Sequence, residues 1–250
     1  MKKKYLILFL LFFSQGLLAQ KTIKIKGVIE VVVIDQFNKD QSQTKFFLNM
    51  NGRKAKNPIE LNFKKEIPKL ISGQEIEVQC VRTKKNLCLV KSFKEFSDKK
   101  YLKTTQTGSL KTLWMVVDVS DAEVSLSLDQ VKAKMDITDD WFQQASFNQL
   151  KINKDVNGDG SYDVFRVKLN DYSKESNGCD YNLIRYKALT QLENQGIDIN
   201  SYKYDVLLIP NLGCNWSGLG HLGCQYYCAS WIQGVNWNLV YTHELGHNLS

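Results

Sequence analysis

Near the middle of the chain, residues 113–119 form a continuous apolar run, LWMVVDV. A strand that is apolar on both faces must be covered on both, which is typical of a central strand in an α/β sheet. Ser127 and Gln130 then form a capping box at the start of a helix, and LKI and YDVFRVKL have the pattern of strands. Asp180 can cap a second helix, which the buried strand YDVLLIP follows. From residue 110 onward we therefore expect an α/β sandwich around a mixed sheet.

The first part of the chain has a different pattern. A lysine cluster followed by a short apolar run predicts a secretory signal peptide over residues 1–19. Residues 20–96 alternate apolar and polar residues between turn signals, which predicts a small antiparallel β domain, either a barrel or a sandwich. Residues 97–109 lack apolar periodicity and are interpreted as a linker. The fold class is therefore α+β or α/β, with residues 110–250 as the second domain.

The charge of the chain points to no polyanionic partner. The formal net charge is +7, and it falls to +4 when the three lysines of the signal peptide are removed. The other lysines are scattered and form no stripe, as on an ordinary solvated surface. We expect a secreted monomer with no nucleic-acid partner and no membrane contact after signal cleavage.

Six cysteines in a secreted chain predict disulfides. Cys80 and Cys88 flank the turn-like RTKKN and are expected to close a hairpin. The second domain contains the other four: Cys179, Cys214, Cys224 and Cys228. These four cysteines allow three disulfide pairings, and the sequence does not choose among them. For Cys224 and Cys228 the competing role is zinc binding. If the β domain is an inhibitory pro-segment, a thiolate of Cys80 or Cys88 could occupy the zinc of a latent enzyme.

The last residues, NLVYTHELGHNLS, contain the spacing HExxH. Four residues advance an α-helix by about 400°, so His243 and His247 lie one turn apart on the same face. Two imidazoles in this arrangement can hold a zinc ion. Glu244 stands beside the first histidine, where its carboxylate can accept a proton from a zinc-activated water as general base. The motif therefore predicts a zinc hydrolase.

A hydrolytic zinc site uses three protein ligands, and HExxH supplies two of them. In the extended form HExxHxxGxxH a glycine would stand where Ser250 is found. The third ligand is therefore either absent from the chain or His221, for which a solvent-facing position is the simpler expectation. Asn236 or Asn238 is expected to cap the motif helix, and Gly246 to let the helix pack closely against a neighbour.

Several segments together resemble the catalytic domain of gametolysin-type metzincin metalloproteases: CNWSGLG, SWIQG and HELGHNLS, and upstream WMVVDVSD, WFQQASFNQLKI and CDYNLIRYKALTQLENQGIDINSYKYDVLLIP. The resemblance covers roughly residues 109–250. It implies the upper subdomain of that fold, with His243 and His247 as zinc ligands and Glu244 as general base. It also implies that the glycine-rich stretch before the motif is an edge strand to which an extended peptide can add. The family's third histidine and methionine turn have no counterpart in the chain.

These features predict a secreted zinc metalloendopeptidase. The resemblance implies that its substrates are proteins or glycoproteins of an extracellular matrix or cell wall. Zinc-activated water would attack the scissile carbonyl while Glu244 accepts the proton. The alternative belongs to a different class. It is a non-catalytic, C-terminally incomplete homologue, or an incomplete gene model, that acts as a secreted binding protein.

Calcium is the second cofactor that the sequence suggests. In DVNGDGSYD, Asp155, Asn157 and Asp159 match the first ligand positions of a calcium loop. The twelfth position is Arg166, where a bidentate glutamate is needed. Because Asn-Gly and Asp-Gly are strong turn formers, a polar hairpin turn between two strands is the favoured interpretation, with calcium as the alternative.

Overall fold

The computed structural model describes residues 21–39, 41–50, 52–54, 56–64, 68–96, 107–234 and 237–250. The predicted signal peptide and most of the predicted linker lie outside these residues. Within them, the strands are β1 (Thr22–Gln36), β2 (Gln41–Asn49), β3 (Ile59–Phe63), β4 (Glu75–Lys84), β5 (Leu87–Glu95), β6 (Gly108–Val119), β7 (Leu150–Asn153), β8 (Val164–Leu169), β9 (Tyr204–Ile209), β10 (Gly218–His221) and β11 (Cys228–Gln233). The α-helices are α1 (Leu128–Ala145), α2 (Lys174–Asn177), α3 (Tyr181–Asn194) and α4 (Asn238–His247). None of these helices is long and apolar enough to cross a membrane.

The first five strands close into a barrel. Its order is β1, β2, β3, β5, β4 and back to β1, a Greek-key arrangement of the OB-fold kind. The pairings are antiparallel except that of β3 with β5, which is parallel. The expectation of a purely antiparallel β domain is therefore wrong at this one pair. Strand β5 pairs antiparallel with β4 on one edge, and on its other edge it pairs with β3, which runs in the same direction as β5. The Cys80–Cys88 disulfide links β4 to β5 and confirms the predicted hairpin.

Strand β1 belongs to two layers of the molecule. Over its 15 residues it pairs with β4 in its first half and with β2 in its second half. Its last part, from Val32 to Asp35, also pairs antiparallel with β10. Val32 and Ile34 lie in the same apolar core as Leu219 and Trp231. The barrel and the second sheet are thus one hydrogen-bonded surface.

The second sheet has the order β1, β10, β11, β9, β6, with β7 and β8 along the outer edge of β6. The strands β11, β9, β6 and β8 are parallel, whereas β10 is antiparallel to both of its neighbours. Alternate residues of β6 enter different cores: Leu113 and Met115 pack toward α3, and Trp114 and Val116 pack toward α1 and α4. A mixed sheet covered by helices on both faces confirms the α/β prediction for this part of the chain.

The helix boundaries test the predicted caps. Both halves of the Ser127 capping box are formed at the start of α1, and Asp180 caps α3 through the amide of the third helical residue. The prediction for α4 is wrong at Asn238, which lies inside the helix. Trp237 takes the N-cap position without a side-chain hydrogen bond, and Asn236 is outside the described residues.

The predicted hairpin between β7 and β8 is also wrong, because both strands run parallel to β6. The chain leaves the edge of β6 after β7, makes a polar loop, and resumes along the same edge in the same direction. In that loop the Asp155 carboxylate accepts the N–H groups of Gly158, Asp159 and Gly160 at 2.7, 3.1 and 3.0 Å. Arg166 pairs with Asp118 at 2.8 Å and takes no part in the loop. These contacts are those of a polar turn, so calcium gains no support.

Candidate metal centre

Helix α4 lies directly on β10, and two glycines of that strand set the depth of the contact. A Cβ atom at Gly218 would lie 2.1 Å from Oε1 of Glu244, and one at Gly220 would lie 2.6 Å from the Glu244 carbonyl oxygen. A larger residue at Gly220 would displace the helix backbone, and one at Gly218 would displace the Glu244 side chain. Gly246, by contrast, has nothing within 4 Å of a built Cβ. The expectation that Gly246 permits close packing is therefore wrong, and that role belongs to β10.

His243 and His247 converge as the HExxH spacing predicts. Their Nε2 atoms lie 3.1 Å apart. The side chains are 42% and 21% exposed, so the pair is open to solvent on one side. The Phe37 ring lies edge-on to the His243 imidazole at a centroid distance of 5.0 Å.

A third donor comes from the opposite end of the chain. Oδ2 of Asp35 lies 2.8 Å from Nε2 of His247 and 3.3 Å from Nε2 of His243. Asp35 stands opposite Gly218 in the register of β1 with β10, so its side chain lies on the sheet face that carries α4. Among the described residues, these three form the only group of His, Cys, Asp or Glu side chains whose donor atoms all lie within 4.8 Å of one another.

The three donors fit a zinc ion. Zinc bonds to imidazole and carboxylate of about 2.0–2.1 Å give tetrahedral donor separations of about 3.3–3.4 Å. The separations here are 2.8, 3.1 and 3.3 Å, so binding requires only a small opening of the cluster. Two histidines with one carboxylate also form a known ligand set of catalytic zinc sites, which leaves the fourth position free.

The Asp35 carboxyl is held in its ionised form. Burial raises the pKa of its carboxyl, but the hydrogen bond with His247 and the charges of both histidines outweigh it and hold the pKa below its ordinary value. The carboxyl is therefore ionised near neutral pH, which is the form that binds a cation.

Glu244 is buried beside these donors. Its exposure is 0%, and neither carboxylate oxygen has a hydrogen-bond partner among the described residues. Burial, followed by the charge of Asp35, raises the pKa of Glu244 to about 9. A buried acceptor without a partner is costly. The carboxyl therefore has the position and the free acceptors expected of a group that binds a water molecule next to the metal donors.

His221 is excluded as the third ligand. Its exposure is 0%, so the expected solvent-facing position is wrong. Alternate residues of a strand face opposite sides, and His221 lies on the face of β10 opposite to Gly218 and Gly220. Its Nδ1 atom accepts the N–H of Ala229 at 3.3 Å. Burial, helped by the charge of Arg185, holds the pKa of His221 well below its ordinary value.

All six cysteines are in disulfides, so the two alternative cysteine roles are wrong. The four cysteines whose pairing was open form Cys179–Cys214 and Cys224–Cys228. Cys224 and Cys228 therefore bind no zinc, and neither Cys80 nor Cys88 supplies a thiolate to a latent site. Three disulfides are compatible with a secreted protein.

Sequence reasoning found His243, His247 and Glu244 and missed Asp35. The signal that could have found it is an aspartate inside a strand, directly after the apolar run VVVI, because Asp is disfavoured in strands. No protein-family model matches this chain, and neither does any of the curated proteins compared with it.

Proposed function

We propose that this protein is a secreted zinc-dependent metalloendopeptidase. Asp35, His243 and His247 would hold the zinc ion, and Glu244 would act as general base on the attacking water. The substrates would be extracellular or cell-wall proteins and glycoproteins. One observation carries the proposal: the Asp35 carboxylate, 208 and 212 residues away in sequence, meets both histidines of the HExxH helix at hydrogen-bond distance.

The position of Glu244 supports a hydrolytic site over a purely structural metal site. Structural zinc sites are closed by four protein ligands, whereas this cluster has three. The neighbouring Glu244 carboxyl forms no hydrogen bond with any of the three donors. Beside it, His243 remains 42% exposed, so a fourth group can approach from solvent.

Each residue has a distinct part in the chemistry. A bound zinc ion would polarise the scissile carbonyl and make water acidic enough to lose a proton near neutral pH. Without the metal the pKa of Glu244 is about 9, and the charge of a bound zinc ion would lower it. The Glu244 carboxylate could then accept that proton and pass it to the leaving amine. Asp35 and the two histidines fix the ion's position, and the Gly218–Gly220 segment keeps the Glu244 side chain against β10.

The test compares the parent protein with Glu244→Gln. The substitution keeps size and removes the base. We expect both proteins to bind one zinc per chain, measured by elemental analysis after dialysis, and cleavage of casein to fall by about 10²–10⁴-fold in the variant. Equal cleavage rates would show that Glu244 is not the base. Failure of the parent to retain zinc would reject the metal site.

The alternative is a non-catalytic secreted protein that binds zinc. The raised pKa of Glu244 favours it, because a carboxyl that stays protonated near neutral pH cannot act as a base. Stoichiometric zinc in a parent protein that cleaves no peptide bond would select this alternative.

A further inference from the structure

The route by which a peptide reaches the metal donors differs from the one expected. The sequence predicts strand addition at an edge strand before the motif. In the structure that strand, β10, is paired on both sides, with β11 and with the Val32–Asp35 part of β1. A peptide cannot add there while β1 is in place, because the strand's hydrogen-bonding groups are already paired on both edges.

The donors are open on another side, toward a cleft of about 520 Å³. Binding pockets of this size are typically apolar, with a few polar groups at one end. The cleft is lined by Phe37, Trp141, Leu239, Thr242, His243, Gly246 and His247. Two of these residues are the metal-donor histidines, and none carries a permanent charge. A ligand in the cleft would therefore be in contact with the metal site.

Three separate segments supply the large apolar walls. Phe37 follows β1 two residues after Asp35 and is 39% exposed. Trp141 lies on α1 and is 46% exposed, and Leu239 lies at the start of α4 and is 74% exposed. The Phe37 ring contacts the His243 imidazole, so the apolar surface runs continuously to the donors.

We propose that this cleft binds a large apolar side chain, aromatic or long aliphatic, of the peptide substrate beside the scissile bond. Phe37, Trp141 and Leu239 are the residues that determine this specificity. The inference rests on the proposed function, since it places a substrate side chain relative to the same metal. Because no charged side chain among the described residues lines the cleft, a lysine, aspartate or glutamate at this substrate position would lose hydration without compensation.

A binding experiment tests the cleft independently of turnover. The zinc-loaded protein is titrated calorimetrically with acetohydroxamate and with 3-phenylpropionyl hydroxamate, which share the metal-chelating group and differ in the apolar group. We expect the phenyl compound to bind about 10–100-fold more tightly, the range for filling an apolar pocket. Trp141→Ala should reduce this preference several-fold. Ile137→Ala is the matched control, because Ile137 lies on the same helix, is 43% exposed, and does not line the cleft.

The outcomes separate the two proposals. Equal affinities for the two hydroxamates, with stoichiometric zinc, would reject the proposal that the cleft binds an apolar side chain. The proposed metal site would still be supported. A phenyl preference lost equally in Trp141→Ala and Ile137→Ala would also reject the proposal for the cleft. If the protein binds neither compound and retains no zinc, the proposed function fails and the cleft inference fails with it. Two casein-derived peptides that differ only by Phe or Ala beside the cleaved bond should show the same preference in kcat/KM.

Discussion

Replacing Asp35 by Asn tests the assignment of the third donor most directly. The substitution keeps the shape of the side chain and removes its charge, while the backbone pairing of β1 stays available. In the metal-free protein the main loss is the hydrogen bond at 2.8 Å to His247. That bond is partly exposed to solvent, so its loss should lower the free energy of unfolding by only about 1 kcal/mol.

The effect on zinc binding should be much larger. Changing residues that merely support metal ligands costs about 10–100-fold in affinity, so the loss of one of three ligands should cost at least about 100-fold. At a zinc concentration about 100 times the parent's Kd, binding stabilises the parent by about 2.7 kcal/mol and the variant by about 0.4 kcal/mol. For a chain of this size the difference corresponds to about 5–9 °C in the zinc-induced shift of Tm.

The assay is thermal unfolding with and without zinc, alongside zinc stoichiometry and casein cleavage. Asp171→Asn is the matched control, because Asp171 is an exposed aspartate that also forms an ion pair, with Lys187. A zinc-induced shift equal to the parent's would refute the role of Asp35 as a ligand. Cleavage by Asp35→Asn that is faster than cleavage by the parent would also refute the ligand role. Asp35 would then block the metal site, and β1 would be an inhibitory segment.

Two further predictions concern the strand beneath α4. Gly218→Ala should displace the Glu244 side chain, lower the free energy of unfolding by about 1–3 kcal/mol and reduce cleavage, while zinc stoichiometry is kept. The control is Gly246→Ala, whose added methyl group lies in open space, so this variant should be as stable as the parent or about 0.5–1 kcal/mol more stable. Chemical denaturation measures the free energy of unfolding of both variants. His221 has a folded-state pKa below its unfolded value near 6.5, so its contribution to stability is present above pH ~6.5 and is lost as pH falls below it, by at most about 1.4 kcal/mol per pH unit. His221→Phe should flatten the pH dependence of unfolding between about pH 6.5 and 5.5; an unchanged slope would contradict the argument.

Much of the fold could be predicted because its signals are local. The capping box at Ser127, the cap at Asp180 and the continuous apolar run of β6 each depend on residues within one or two turns. The same is true of HExxH, since helical periodicity alone brings His243 and His247 together. Local patterns of this kind survive in the folded protein because tertiary packing agrees with them.

The remainder depends on contacts between distant segments. Asp35 is the second-last residue of β1, and nothing near it in sequence indicates that β1 pairs with β10. The buried face of α3 also depends on a contact with a distant segment. Its buried side includes Ile184 and Arg185 as well as Leu189 and Leu192, because Arg185 reaches the buried carboxylate of Asp205. Apolar periodicity marks only apolar residues as buried, so it does not identify a buried arginine.

The way in which the barrel is attached to the second sheet bears on whether Asp35 is a fixed ligand. Arg53, in the turn after β2, pairs with Asp205 of β9, which Arg185 also contacts at 2.8 Å. All three side chains are buried. Burial raises the pKa of Asp205, but the two guanidinium groups outweigh it and hold the pKa below its ordinary value. Removing one partner from a buried pair of this kind typically costs about 3–5 kcal/mol.

An inhibitory segment has to leave the site, and here its departure would be expensive. It would expose Val32 and Ile34, which are packed in the core of the second sheet, and would separate Arg53 from Asp205. A metal ligand, in contrast, must be held to within about 0.5 Å. At Asp35 the backbone of β1 is paired with β2 on one side and β10 on the other, which supplies that rigidity. The packing therefore favours a composite metal site, of which the N-terminal barrel would be a permanent part.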